Sequence, residues 1–128
     1  MDSILKPGLR HRFEKVTEPR ESAAAVASGA LDVFSTPSLV ALFEATALQA
    51  VDPLLGEGLG TVGIEVAVKH LKATPIGQKV RCEVTVTAVE GKRIAFMGEM
   101  WDEQGKIGEG SHTRFVVNQA EFMKRIAK

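Results

Sequence analysis

Cysteine is nearly missing from the sequence. Cys82 is the single one among 128 residues, so no internal disulfide can form, which fits a reducing compartment. Charge of one sign is missing too: Lys and Arg number 16, Asp and Glu number 16, and the formal net charge is zero. With no basic excess, nucleic-acid binding has no electrostatic support, and neither has polybasic recruitment to a membrane. Long hydrophobic runs are absent. The most apolar stretch, Leu39 to Val51, contains a glutamate and is too short to span a bilayer. Met1 to Pro7 hold no apolar run of the length a signal peptide needs. The expectation is a soluble, cytoplasmic protein with no nucleic-acid and no membrane partner. Metal-ligand spacing is also lacking, because three histidines and one cysteine fall into no recognisable pattern, so no metal is expected.

What the sequence does have is the length and composition of one ordinary globular domain, enough to bury roughly two-thirds of its unfolded surface. Residues 8–17 read as a strand. Glu18-Pro19-Arg20-Glu21 suits a single helical turn, and Ala23 to Ala27 a short strand. Ser35-Thr36-Pro37 offers a capping hydroxyl followed by proline, the signature of a helix start, and the helix runs from Pro37 to about Val51. From Leu59 the period becomes two. Ile64, Val66 and Val68 alternate with Glu65 and Lys69, and Val80, Cys82, Val84 and Val86 alternate with polar residues. Ile94 to Trp101 and Lys106 to Val117 read as two further strands. Asn118 with Glu121 three positions on announces a short last helix over 119–127. The sum is an α+β arrangement, one long apolar helix and an antiparallel sheet of about five strands.

Ten of the thirteen residues from Leu39 to Val51 are apolar. A helix apolar nearly all round is expected to be buried all round. Glu44 is the one charge in that run, and a buried carboxylate must be paired, hydrogen-bonded, protonated or turned to a cleft. It is either a structural glutamate or a catalytic one. By strand parity His70 shares the face of Ile64, Val66 and Val68. It is either a satisfied core residue or, with Glu44, half of an acid–base pair. Thr36 is read first as the helix cap. It lies eight residues before Glu44, roughly 12 Å along a helix axis, so the two side chains cannot bond within one helix. They can bracket a substrate or act from different subunits. Arg114 is read first as an exposed strand residue that shares its parity with Gly108, Gly110 and His112. Gly63 is a position where backbone can approach a ligand closely.

Five segments, taken in order, resemble the fluoroacetyl-CoA thioesterase-like branch of the hotdog superfamily. They are Val33-Phe34-Ser35-Thr36-Pro37, Leu42-Phe43-Glu44, Gly60-Thr61-Val62-Gly63, Lys69 to Gly77, and Ile107 to Phe115. The resemblance spans about residues 8–122 and implies a single hotdog domain over 1–128. It implies a homodimer, or a tetramer of such dimers, with two acyl-CoA sites at the interface. It places the catalytic threonine at Thr36, the glutamate at Glu44 and the histidine at His70, with Gly63 and Arg114 as substrate-binding residues. It implies no cofactor beyond the coenzyme A that is part of the substrate. One region departs from the pattern. Glu18 to Asp32 is short and alanine-rich where fluoroacetate-specific members carry a longer lid containing aromatics, so a more open or differently shaped acyl pocket is expected.

The activity this implies is thioester hydrolysis. Glu44 serves as nucleophile or as base on water, His70 transfers protons, Thr36 orients them, and the Gly63 N–H faces the developing oxyanion. Two other readings stay open. One is a non-catalytic acyl-CoA-binding module. The other is a hotdog enzyme with different thioester chemistry such as a hydratase, although no Asp-x-x-x-x-His pattern accompanies the helix.

Overall fold

The structure is a computed structural model that describes residues 4–127. Strands β1 (Arg10–Val16), β2 (Leu59–His70), β3 (Lys79–Glu90), β4 (Arg93–Asp102) and β5 (Gly105–Asn118) form one antiparallel sheet in the order β1-β3-β4-β5-β2. Helix α1 (Thr36–Val51) lies against one face, and a short α2 (Gln119–Ile126) follows β5. The period-two pattern read from the sequence fixes which side of the sheet meets the helix. Val80, Cys82, Val84 and Val86 of β3 and Ile94, Phe96 and Met100 of β4 are buried against Leu39, Phe43, Ala47 and Val51 of α1. Each large apolar side chain buried in this way contributes about 1.5–3 kcal/mol. Close approach of helix and sheet depends on Gly98, where a Cβ would lie 2.5 Å from the Phe43 ring.

Four expectations need correction. Ala23 to Ala27 form turns, not a strand. Turn hydrogen bonds hold the segment, among them Ala23 N–H to the Val33 carbonyl at 2.8 Å and Ala25 N–H to the Ser22 hydroxyl at 3.0 Å, and the isolated bridges Ser22 to Phe34 and Val33 to Pro75 flank it. Its run of small apolar residues shows no period-two alternation, and residues 24–27 are exposed. Helix α1 is not buried all round, since Ala41 and Leu48 are exposed. The cap of α1 is Ser35, whose hydroxyl accepts from the Ser38 N–H at 3.1 Å; Thr36 is the first helical residue and its side chain is free for other work.

The fourth correction matters most. Ile64 does not share the inward face of Val66 and Val68. The pairing of β2 with β5 shifts between Gly63 and Glu65, so that Gly63 stands opposite Arg114 and Val66 opposite His112, with Ile64 left over. This β-bulge reverses parity along β2. Without it, Gly63 and Thr61 would face away from the helix. With it, they join Val66, Val68 and His70 on the helix side.

Candidate active site

The candidate residues fall into two groups, one at each end of β2. At its C-terminal end, Thr36 Oγ1 lies 2.7 Å from His70 Nδ1. The helix start supplies the hydroxyl because Ser35 has already satisfied the cap, and the last residue of β2 supplies the ring. The His70 Nε2 is buried and has no hydrogen-bond partner among the described residues. Most buried polar atoms in folded proteins are hydrogen-bonded, which sets this nitrogen apart. Burial holds the His70 pKa below its ordinary value, which the Lys72 backbone opposes. The ring is therefore neutral at neutral pH and able to take up a proton. The pair lines a pocket of about 330 Å³ whose walls include Ala23, Phe34 and Leu71. Lys72, at the same rim, donates to the buried Asp102 carboxylate at 2.9 Å and is held by it.

At the other end, Glu44 reaches from the middle of α1 toward Gly63 and Arg114. Its Oε2 lies 3.8 Å from Arg114 Nη1, and its side chain is 41% exposed while that of Arg114 is 6% exposed. A Cβ on Gly63 would come within 2.6 Å of the same Oε2, so only glycine leaves the carboxylate its place. The exposed-strand reading of Arg114 is wrong. Strand parity does turn it to the helix side, and there it becomes a buried cation tied down by a hydrogen-bond network. Its Nε donates to Thr61 Oγ1 at 2.7 Å and its Nη2 to the Thr61 carbonyl at 3.0 Å. The Thr61 hydroxyl donates in turn to Asp52 at 2.6 Å. Arg114 Nη1 lies 3.1 Å from His112 Nε2, and His112 Nδ1 lies 2.7 Å from the Glu65 carbonyl.

Thr36 and His70 are thus brought together, and so are Glu44, Gly63 and Arg114, but among the described residues no hydrogen bond or ion pair joins the first group to the second. The sequence reading missed Asp52, Thr61 and His112. Only His112 carried a usable signal, because it shares strand parity with Arg114. A larger hollow of about 720 Å³ lies elsewhere on the sheet, lined in part by Ala67, Met97 and Ser111, and none of the candidate residues lines it. No group of three or more His, Cys, Asp or Glu among the described residues could hold a metal ion. No described helix is long and apolar enough to cross a membrane.

The family described as fluoroacetyl-CoA-specific thioesterase matches residues 16–120, most of the chain and both halves of the site. The chain belongs to this family. The fluoroacetyl-CoA thioesterase of Streptantibioticus cattleyicolor is 33% identical over 95 residues, which are 74% of this chain and 68% of that protein. A solved structure of the fluoroacetyl-CoA thioesterase FlK superposes with a TM-score of 0.91 at 27% identity, covering 96% of each chain. A Thermus thermophilus thioesterase superfamily member superposes at 0.89 and 26% identity, covering 99% of this chain and 93% of that one. Family membership and the hotdog fold, both implied by the five sequence segments, are therefore borne out. The hot-dog-like protein of Thermanaerovibrio acidaminovorans agrees, with a TM-score of 0.87 at 25% identity over 96% of this chain and 91% of that one.

Proposed function

We propose that this chain hydrolyses the thioester of a small acyl-CoA at sites completed by two copies of the chain, with Thr36, Glu44 and His70 as the catalytic side chains. The observation that carries this reading is the split site. Gly63 and His70 stand seven residues apart on β2, about 20 Å along a strand, so one chain cannot close the two halves on one thioester. Strand β2 is an edge of the sheet and twelve residues long. Ile64 and Val66 on it are 47% and 38% exposed. A long apolar edge of this kind is an invitation to pair. Antiparallel pairing of two such edges about a two-fold axis near Val66 sets the Gly63 end of one copy beside the His70 end of the other. Glu44 of one subunit then meets Thr36 and His70 of the other.

The chemistry follows from the groups. Glu44 either attacks the thioester carbon or takes a proton from the attacking water. The Gly63 N–H is the donor for the oxygen that gains charge, and the positive N-terminal end of α1 lies near the same bond. In the base route neutral His70 takes up the water's proton by way of Glu44 and delivers it to the sulfur as the C–S bond breaks. In the nucleophilic route the thiolate leaves first, and water, giving its proton to His70, then cleaves the acyl–Glu44 anhydride, with Thr36 fixing the ring for these transfers. The products are a carboxylate and free coenzyme A. Arg114 and Gly63 hold the substrate end of the site. No group beyond the side chains and the substrate's own coenzyme A is required. The short, alanine-rich region Glu18 to Asp32 contains no aromatic side chain to close over an acyl group, so selectivity for a fluorinated acyl group is not expected. A single buried cysteine suits the cytoplasm as the place of action.

Thiol release from a panel of short, branched and aryl acyl-CoAs tests this reading. Turnover of at least one member is expected. Binding of coenzyme A esters with no turnover of any would replace it with the acyl-CoA-binding module.

A further inference from the structure

His112 lies in the strand next to the proposed site and belongs to none of the catalytic or binding residues named so far. Its surroundings fix its protonation. A carbonyl can only accept, so the 2.7 Å contact with Glu65 requires a proton on His112 Nδ1. A guanidinium can only donate, so the 3.1 Å contact with Arg114 requires a lone pair on Nε2. The ring is thus neutral and held as one tautomer. Phe43, edge-on with ring centroids 5.4 Å apart, and Phe96, stacked at 5.9 Å, clamp its plane. Burial and the Arg114 charge hold the pKa below its ordinary value of 6.5, against the Glu65 carbonyl and Glu44, which favour the charged ring.

The charged groups around Arg114 are Glu44 and Asp52 from α1 and the turn after it. The Asp52 charge reaches it through the Thr61 hydroxyl at 2.6 Å. The Glu44 carboxylate stops at 3.8 Å, too far for a hydrogen bond. Arg–carboxylate pairs normally close to about 2.7–2.9 Å and often bind through two hydrogen bonds. Here Nη1, the nitrogen nearest Glu44, carries two N–H groups and turns one of them to His112, which sets how closely it approaches the carboxylate. We infer that His112 is a positioning residue: by accepting from Arg114 Nη1 it keeps the guanidinium beside Glu44 but out of a closed ion pair, which leaves the carboxylate free to react. This rests on the role proposed above for Glu44. Remove the acceptor, and the closest remaining one for Nη1 is Glu44. The guanidinium, still anchored on Thr61, would swing onto the carboxylate and engage it.

The test uses two variants of the intact protein. His112→Phe keeps an aromatic ring between Phe43 and Phe96 but cannot accept from Arg114. His112→Gln restores an acceptor. Hydrogen bonds to charged groups are worth about 1.5–3 kcal/mol, so kcat of His112→Phe should fall about tenfold to a hundredfold while KM stays within about threefold. His112→Gln should recover most of kcat. Nitrogen-15 NMR of histidine-labelled wild-type protein at pH 7.5 should show one imidazole in the neutral Nδ1–H form, lost in both variants. The inference is overturned if that resonance reports the other tautomer or a charged ring. It is equally overturned if folded His112→Phe matches wild-type kcat, or if His112→Gln is no better than His112→Phe. Should the wild type cleave no acyl-CoA at all, the thioesterase reading fails, while the NMR result still decides the arrangement of His112 and Arg114.

Discussion

Replacing Glu44 by Gln is expected to lower kcat for thioester hydrolysis by about 10²–10⁴-fold, the range for loss of a positioned acid–base group. The amide keeps the size and shape of the carboxylate, so it fits beside Gly63, where even one added Cβ would crowd the site. It can neither attack a carbonyl nor accept a proton. The side chain is nearly half exposed and its ion pair with Arg114 is loose at 3.8 Å, so little folding energy depends on it. Thiol-release kinetics on the best acyl-CoA, with a thermal melt to show that the variant is folded, measures the effect. A folded Glu44→Gln protein within tenfold of wild type would mean that the glutamate is structural and the chemistry lies elsewhere.

The largest stability effect is expected at Phe43, the residue just before Glu44 on α1. Its ring is fully buried, rests on Gly98 and meets the His112 ring edge-on. Phe43→Ala leaves a cavity at the point where helix and sheet approach most closely. Such changes cost about 3–5 kcal/mol, a large share of the 5–15 kcal/mol that keeps a domain folded. The melting temperature should drop by about 10–20 °C. Urea unfolding gives the free energy directly. A loss below about 1 kcal/mol would show that this packing does not hold the helix in place. Activity should fall as well, because Phe43 fixes both the register of Glu44 over Gly63 and the plane of His112.

Much of this was legible in the residues. The period-two runs of β3, β4 and β5 and the apolar helix named the layers. Glu44 stood out because a lone charge in an apolar helix demands an account. The misses share a cause: single residues whose local signal had two meanings. Ser35 and Thr36 both carry a capping hydroxyl, and only the three-dimensional turn decides that Ser35 caps, which releases Thr36 to bond His70. The bulge at Ile64 left no trace in the pattern, since Gly-Ile-Glu-Val reads as regular alternation. Yet that one extra residue turns Gly63 and Thr61 to the helix. Arg114 read as a surface cation because arginine on a strand usually is one. Its burial depends on Thr61 and Asp52, more than fifty residues earlier in the chain, and on His112 beside it. Long-range hydrogen bonds of this kind leave no local pattern.

The claim at the centre of this account is that two chains complete each site, and mixed dimers test it directly. Glu44→Gln and His70→Ala chains carrying different tags can be co-expressed, and the heterodimer isolated through both tags. If Glu44 of one chain works with Thr36 and His70 of the other, both defects fall in one site and the second site is intact. The heterodimer should then hydrolyse the acyl-CoA at about half the wild-type rate, while each parent homodimer is nearly inactive. A heterodimer no more active than its parents would contradict the shared site and place all three residues in a single chain.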